Sequence, residues 1–322
     1  MVFIQQIKQK ALALGFDLVG ITDAAPLSAD CLSRLLAWLD AGYAGTMTWM
    51  QNNLEKRVNP AKLLPGAKSV IVVALNYKTS QQPLSLRAQR AQRSNLNHSG
   101  LVAAYAQYED YHPFIKKLLR QLADFIIAQT GPGFKFKICV DSAPLFERAL
   151  ALKAGLGFIG KNHMLINPCI GPQILLGELI TNLPLVCDKH IEESCPKCDK
   201  CVESCPTGAL RPDGFFDASR CISYLTIESA HEIPADIAPK IGNRLFGCCE
   251  CLLVCPYHQN APSCANSQFA HYHDHAELNL DEILNLTESQ FQSKFADSPL
   301  LRAGLPRLKH IAKICLNNLS NS

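Results

Sequence analysis

Two runs of cysteines constrain this chain more than any other feature of its sequence. The first is Cys195-Pro-Lys-Cys-Asp-Lys-Cys-Val-Glu-Ser-Cys205-Pro, and the second is Cys248-Cys-Glu-Cys-Leu-Leu-Val-Cys255-Pro. The first run has the spacing C-x2-C-x2-C-x3-C-P, in which three thiolates hold one [4Fe–4S] cluster and the fourth, followed by proline, holds another. We therefore predict a module in which both runs wrap around a pair of clusters.

The two runs can be overlaid, and the overlay leaves one ligand to be found. Two clusters need eight thiolates, and the runs supply seven at matching positions because Leu245 falls opposite Cys195. Cys221 and Cys249 are the candidates for the eighth ligand. We favour Cys221, because adjacent side chains such as those of Cys248 and Cys249 point in different directions. The predicted ligand sets are Cys195, Cys198, Cys201 and Cys255 for cluster 1, and Cys205, Cys221, Cys248 and Cys251 for cluster 2.

Zinc and disulfides are the alternative explanations for the cysteines. Zinc sites use separated C-x2-C pairs, whereas here a triplet with a trailing Cys-Pro occurs. The first residues lack the apolar core of a signal peptide, and no uncharged apolar run reaches the ~20 residues of a membrane helix. We expect a cytoplasmic protein, in which disulfides are rare and the remaining cysteines are reduced.

The hydrophobic pattern predicts three segments. Residues 1–187 alternate between strands and helices, which indicates an α/β or α+β domain. Residues 188–265 form a ferredoxin-like module for two [4Fe–4S] clusters, with a helical stretch at 239–245. Residues 266–322 form a C-terminal helical tail that includes a helix at 278–295.

Few other polar residues have a position that suggests chemistry. Asp141 lies where a predicted strand ends and a helix begins, so it is either a helix cap or a carboxyl group at the open end of a sheet, where ligands bind. His271, His273 and His275 alternate and could bind a metal, although a solvated strand or loop is the more common meaning of that spacing.

Charge gives only weak evidence for a nucleic-acid partner. The formal net charge is +3, so any contact with nucleic acid needs a local basic patch. Residues 79–99 are rich in Gln, Ser, Asn and Arg. They predict a flexible loop whose arginines are solvated or contact phosphate.

Three longer motifs resemble those of the epoxyqueuosine reductase family. They are Val140-Asp-Ser-Ala-Pro-Leu-Phe-Glu-Arg-Ala-Leu-Ala-Leu-Lys-Ala-Gly-Leu-Gly-Phe-Ile-Gly-Lys-Asn162, Arg220-Cys-Ile-Ser-Tyr-Leu-Thr-Ile-Glu228 and Ile241-Gly-Asn-Arg-Leu-Phe-Gly-Cys248. The resemblance implies a cobalamin-binding α/β domain in front of the cluster module. It also implies reduction of epoxyqueuosine to queuosine at the wobble position of tRNA. Electrons would pass from an external flavodoxin- or ferredoxin-type system through the clusters to cob(II)alamin, in a monomer.

The resemblance also implies roles for individual residues. Asp141 matches the proton donor to the leaving oxygen, and burial against the corrin would raise its pKa as that role requires. Cobalamin contacts are implied for Arg57, Tyr105, Asp141, Lys161, Asn162, Asn167 and Ser223. Contacts with tRNA are implied for Arg220, Lys240 and Arg244.

Two other functions are compatible with the cysteine pattern. A corrinoid reductase of the dehalogenase type also pairs cobalamin with two clusters, but such enzymes typically carry a twin-arginine signal that this sequence lacks. A ferredoxin-type electron carrier would need no substrate, yet the ~185 residues before the clusters exceed what a carrier requires. Cobalamin binding separates the carrier from the enzymes, and a requirement for tRNA separates the two enzymes.

Overall fold

The computed structural model describes residues 2–79 and 98–321, so the predicted loop at 79–99 lies almost wholly outside the described residues. The strands are Leu18–Asp23 (β1), Ser69–Asn76 (β2), Ser99–Val102 (β3), Phe136–Cys139 (β4), Phe158–Ile159 (β5), Leu165–Ile166 (β6), Ile174–Thr181 (β7), Arg244–Phe246 (β8) and Glu277–Asn279 (β9). The α-helices are Val2–Ala13 (α1), Ala29–Asp40 (α2), Leu54–Val58 (α3), Tyr111–Thr130 (α4), Glu147–Lys153 (α5), Lys200–Ser204 (α6), Ile222–Ile227 (α7), Ala238–Ile241 (α8), Glu250–Leu253 (α9), Pro256–Gln259 (α10), Leu280–Asn285 (α11), Glu288–Lys294 (α12) and Gly304–Ser320 (α13). Among the described helices, none is both long and apolar enough to cross a bilayer.

An antiparallel sheet in the order β1-β2-β7-β4 forms the centre of the first segment. Every residue of β2 and of β7 is buried, because helices cover both faces of the sheet. Alternate side chains of a strand point to opposite faces. Ile71 and Val73 therefore pack in the core that α1 and α4 share, while Val70 and Val72 pack with α5.

A second sheet joins all three predicted segments. Its order is β8-β3-β9, with β3 parallel to β8 and antiparallel to β9. Side chains of β8, including Leu245 and Phe246, share one core with α11 and α13. The tail therefore packs on the cluster module, and both are tied to the first segment through β3.

Two predicted helices differ from the structure. The helix predicted at 239–245 ends at Ile241, because β8 takes up the following residues to pair with β3. The helix predicted at 278–295 begins as β9 and then splits into two, because the Thr287 side chain caps a new helix. In both places pairing or capping outweighs the helical pattern of the sequence.

Candidate active site

The four cysteines predicted for cluster 1 line one cavity. Three come from the loop before α6 and its first turn, and Cys255 precedes α10. Burial raises the pKa of Cys255, and the neighbouring thiols of Cys195 and Cys198 raise it further. Backbone N–H groups of Tyr257 and His258 donate to the Cys255 sulfur.

The four cysteines predicted for cluster 2 also lie together. Burial raises the pKa of Cys251 well above its ordinary value, and its neighbouring thiols, Cys248, Cys221, Cys249 and Cys205, raise it further. Burial likewise raises the pKa of Cys221 to about 12, while backbone N–H groups oppose the shift. Thiols packed this closely in a dry site fit a group that binds them as thiolates, and N–H donors to sulfur are typical of iron–sulfur sites.

Cys249 has different surroundings from the four cysteines of the second group. It packs against the core that contains Tyr77, and the Ala104 N–H donates to its sulfur. Cys221 instead receives the N–H groups of Ser223 and Tyr224 beside Cys248. This arrangement favours Cys221 over Cys249 as the eighth ligand.

Asp141 lies in the turn between β4 and α5 and faces α4. Its Oδ2 accepts hydrogen bonds from Tyr111 Oη at 2.9 Å and from His112 Nε2 at 3.1 Å. Its φ is +54°, in the left-handed region, and its side chain is 60% exposed. Phe146 is the N-cap residue of α5 and makes no side-chain cap. Asp141 therefore is not a helix cap, and its carboxylate is partly open to solvent.

Opposite charge sets the protonation of this site. Nδ1 of His112 contacts Asp110 Oδ1 at 2.7 Å, so the imidazole lies between two carboxylates. Burial lowers the pKa of His112, but the hydrogen bonds to Asp110 and Asp141 raise it to about 9. The hydrogen bond from His112 lowers the pKa of Asp141, against the opposing effect of burial. In the protein without cobalamin the pKa of Asp141 is lowered because a cation stands beside the carboxylate, and the rise expected on burial against the corrin stays a prediction.

A row of aromatic rings leads from Asp141 to the second cysteine group. The ring of Tyr105 is 6.4 Å from that of Tyr111, 6.4 Å from that of Tyr77 and 6.2 Å from that of Phe246. Tyr77 in turn lies within electrostatic reach of Cys251. Tyr105 and Tyr111 are partly exposed, whereas Tyr77 and Phe246 are buried, so only the first two rings are placed to contact a ligand.

The C-terminal tail completes the site with a charged pair. Nε and Nη2 of Arg302 each donate to the Glu228 carboxylate at 2.9 Å, and the Arg302 side chain is 63% exposed. Arg302 also contributes to the lowered pKa of Asp141. Sequence reasoning assigned neither residue to the site, because only the packing of the tail brings them there. Sequence reasoning also assigned no role to Tyr111 or His112, the two side chains that donate to Asp141.

Comparison with known proteins decides the family. A model described as "Epoxyqueuosine reductase QueG, DUF1730" matches residues 57–142, and one described as "4Fe-4S double cluster binding domain" matches residues 194–258. The epoxyqueuosine reductase of Pseudomonas aeruginosa is 40% identical over 310 residues, which cover 96% of this chain and 83% of that protein. The chain belongs to the epoxyqueuosine reductase family. The predicted family and the double [4Fe–4S] module are thus confirmed.

Two solved structures of epoxyqueuosine reductases share the fold. One is bound to an epoxyqueuosine-modified tRNA-Tyr stem loop. It is 31% identical to this chain, and the superposition has a TM-score of 0.90 and covers 99% of this chain and 82% of the relative. The other, from Bacillus subtilis, has its catalytic loop swung out of the active site, with a TM-score of 0.85 at 30% identity and the same coverage. The mixed α/β character predicted from the sequence is confirmed.

Three residues with implied cobalamin contacts lie beside the two cysteine groups: Lys161, Asn162 and Ser223. The Lys161 backbone N–H donates to Cys195 Sγ at 3.3 Å, and Asn162 Nδ2 donates to the Cys251 carbonyl at 3.3 Å. The Ser223 N–H points at the Cys221 sulfur. All three residues therefore lie beside predicted cluster ligands.

Arg57 and Asn167 have structural partners. Arg57 is buried and donates to the carbonyls of Asn52 at 3.1 Å and Trp49 at 2.9 Å. Asn167 uses its Oδ1 for the N–H groups of Cys169 and Ile170, at 2.9 and 3.1 Å, and its Nδ2 for the Leu156 carbonyl at 2.8 Å. Both amide atoms of Asn167 are occupied in its own turn, so the structure does not support a cobalamin contact for that side chain.

The three residues predicted to contact tRNA differ in exposure. Lys240 is exposed, and Arg220 is half-buried beside Asp236 at 3.1 Å. Arg244 is only 7% exposed and donates to Glu250 Oε1 at 3.0 Å and to the carbonyl oxygens of Lys240 and Ile241 at 3.2 and 3.0 Å. A guanidinium buried in this way cannot reach a phosphate at the surface, so the tRNA prediction for Arg244 is wrong.

The buried Arg244–Glu250 pair instead predicts a stability effect. We expect Arg244→Ala to lower the free energy of unfolding by about 3–5 kcal/mol, because it removes a buried guanidinium together with its ion pair to Glu250 and its hydrogen bonds to two carbonyl oxygens. The exposed pair of Arg211 and Asp213 provides a control, since Arg211→Ala should leave the free energy of unfolding nearly unchanged. Anaerobic denaturant titration of both variants measures the difference. Equal losses would contradict the role given to Arg244.

The three alternating histidines do not share one centre. The rings of His271 and His273 meet edge to face at 4.4 Å, whereas His275 packs against Tyr272 and Phe295. Within residues 2–79 and 98–321, no three His, Cys, Asp or Glu side chains are arranged to hold a single metal ion.

Proposed function

We propose that this chain reduces epoxyqueuosine in tRNA to queuosine. The reaction takes two electrons and two protons, breaks both epoxide C–O bonds, forms a carbon–carbon double bond and releases the oxygen as water. The observation that carries the proposal is the Asp141–His112–Tyr111 constellation at the end of an aromatic row that begins at the second cysteine group. Membership of the family and the stem-loop complex of a relative support it.

The electron path follows from the positions of the cysteines. We propose that Cys195, Cys198, Cys201 and Cys255 hold cluster 1, and that Cys205, Cys221, Cys248 and Cys251 hold cluster 2. Such clusters carry single electrons at low potential. An external flavodoxin- or ferredoxin-type donor would supply these electrons.

The aromatic row fits cobalamin. Tyr105 and Tyr111 offer partly exposed ring faces between the second cysteine group and Asp141. These rings would hold the corrin, with Lys161, Asn162, Arg57 and Ser223 near its margin as the resemblance implies. Cobalamin, when bound, supplies a reducible and strongly nucleophilic cobalt centre.

The protein residues supply one of the two protons. We propose that Asp141 protonates the leaving oxygen and receives its own proton from His112 across their 3.1 Å contact. In the open site the imidazolium and the carboxylate stabilise each other. When cofactor and substrate exclude water, two neutral partners are favoured over an unsolvated ion pair, and the proton moves from Nε2 to the carboxylate. The His112 imidazolium therefore carries the proton that is later transferred to Asp141.

The Asp141 turn and the surface around it suggest how substrate is admitted. The catalytic loop of the Bacillus subtilis relative is swung out of its active site, and we infer that the Asp141 turn is the corresponding segment. Residues 1–187 would hold cobalamin, 188–265 the clusters, and 266–322 would complete the cleft through Arg302. Lys240 and Arg220 remain candidates for contacts with tRNA phosphates. The protein would act as a monomer in the cytoplasm.

Queuosine content in cells tests this function. A bacterium deleted for its epoxyqueuosine reductase accumulates the epoxide in its tRNA. We expect expression of this chain to convert that epoxide to queuosine, as seen by mass spectrometry of digested tRNA, whereas empty vector should not. If tRNA keeps the epoxide although the chain is present with both clusters, this function is wrong.

The proposed proton transfer from His112 leads to a prediction about pH. In the folded protein the pKa of His112 is about 9, above the ordinary value of 6.5. The stabilisation from its contacts with Asp110 and Asp141 is therefore complete below pH 6.5 and is lost as the pH rises through about 9. We expect an NMR titration of His112 to show a midpoint near 9, and Asp141→Asn to lower it. A midpoint near 6.5 in the unmodified protein would contradict the ion pair.

A further inference from the structure

Two glutamates, Glu147 half-buried and Glu178 fully buried, lie behind the Asp141 turn. Glu147 is the first residue of α5, and its Oε1 accepts the Asp141 backbone N–H at 2.5 Å. Glu178 lies in the middle of β7, is 0% exposed and pairs across the sheet with Cys139. The two carboxyl groups are close enough that each affects the pKa of the other.

Glu178 has no hydrogen-bond donor among the described residues. Both of its carboxyl oxygens are buried without such a partner, and the polar group that faces them is the Glu147 carboxyl. An ionised carboxylate in this position is costly, and two adjacent ones are costlier still. A proton held between the two carboxyls removes the repulsion between them and leaves a single negative charge shared over the pair, as in the paired carboxyls of some enzyme sites.

The pair connects directly to the backbone of Asp141. A residue with φ of +54° needs surrounding contacts to keep it there, and the bond to Glu147 is one of them. We propose that Glu147 and Glu178 are positioning residues, which share a proton and hold the Asp141 turn so that its carboxylate faces His112 and Tyr111. This inference rests on the proposed function only for the consequence in catalysis.

Charges around the pair agree with this arrangement. Burial raises the pKa of Glu147 to about 7 and that of Glu178 well above its usual value. The charged groups facing the pair are the Asp141 carboxylate, which raises both values, and the Arg148 guanidinium, which lowers that of Glu147. Arg148 donates to the His163 carbonyl, and among the described residues it forms no ion pair with either glutamate. The pair therefore keeps at least one proton at neutral pH, and losing the last one at higher pH would loosen the turn.

Infrared spectroscopy tests the shared proton without turnover. We expect the cluster-loaded protein at neutral pH to show the C=O stretch of a buried, protonated carboxyl group, and the isosteric variant Glu178→Gln to lack it. Glu55→Gln, at a side chain that is 83% exposed, is the matched control and should keep the band. Absence of the band from the unmodified protein, or its persistence in Glu178→Gln, would overturn the shared proton.

Hydrogen exchange tests the hold on the turn. We expect Glu147→Ala to speed exchange of the Asp141 amide by about tenfold or more, because its charged acceptor is lost. Glu147→Gln keeps an acceptor oxygen and should remain within a few-fold of the unmodified protein. Both are compared after the cluster absorbance shows that they are folded. Equal exchange in Glu147→Ala and the unmodified protein would overturn the positioning role, whatever the outcome with tRNA.

The kinetic consequence separates this role from the proposed function. If turnover on tRNA is established, Glu147→Ala should lower kcat with little change in KM, and Glu178→Gln should extend activity to higher pH. Loss of activity in Glu178→Gln at every pH would contradict the positioning role. Absence of turnover in the unmodified protein would instead contradict the proposed function and leave the spectroscopic and exchange results intact.

Discussion

Cys221→Ser should lose the second cluster and with it all turnover. The variant removes one of four thiols that lie together, so we expect iron content to fall by about four atoms per chain. Because the second cysteine group lies between the first group and the aromatic row, loss of the second cluster would leave electrons from the first cluster without a route to cobalamin. Iron analysis, the visible absorbance of the clusters and turnover measure the three effects.

Cys249→Ser is the matched control for that experiment. Cys249 is adjacent to a predicted ligand, yet its sulfur receives the Ala104 N–H and packs beside Tyr77. We expect this variant to keep both clusters. A loss of iron in Cys249→Ser together with full iron in Cys221→Ser would reverse the assignment of the eighth ligand.

Asp141→Asn should lower the rate of epoxide reduction by about 10²–10⁴, the usual contribution of a positioned general acid. The amide has the same shape and can still meet Tyr111, but it cannot deliver a proton to the leaving oxygen. Both clusters should be retained, because the cysteines lie at the far end of the aromatic row. Single-turnover kinetics under anaerobic conditions isolate the affected step.

The control for this variant is another aspartate. Asp124 is exposed on α4, so Asp124→Asn should react at the unmodified rate. An Asp141→Asn enzyme that is equally fast would remove Asp141 from the chemistry and leave it a structural role in its turn.

The sequence was sufficient for features that depend on local spacing. Ligands three residues apart must lie together on one short turn, which is why the cysteine runs could be assigned to two groups before the structure was known. Asp141 could be located because a strand end and a helix start bracket it. The structure then resolved what position alone left open, since Phe146 and not Asp141 is the N-cap residue of α5.

Features that depend on distant contacts could not be predicted in this way. Whether an arginine is exposed or paired is decided by folding, so Arg244 was placed on tRNA although it is buried against Glu250. The lowered pKa of Asp141 in the protein without cobalamin was not predicted, because the sequence does not show that the His112 imidazolium lies beside it. Glu178 gave no signal, because one glutamate in an apolar strand does not reveal that Glu147 will face it.

Anaerobic turnover of defined tRNA tests the central claim most directly. The protein is reconstituted with iron, sulfide and cobalamin, reduced, and given tRNA that carries epoxyqueuosine. Digestion and mass spectrometry should show queuosine, lighter by one oxygen atom, and no conversion when cobalamin is left out. Unchanged epoxyqueuosine, with both clusters and cobalamin shown to be bound, would contradict the assignment of this chain as an epoxyqueuosine reductase.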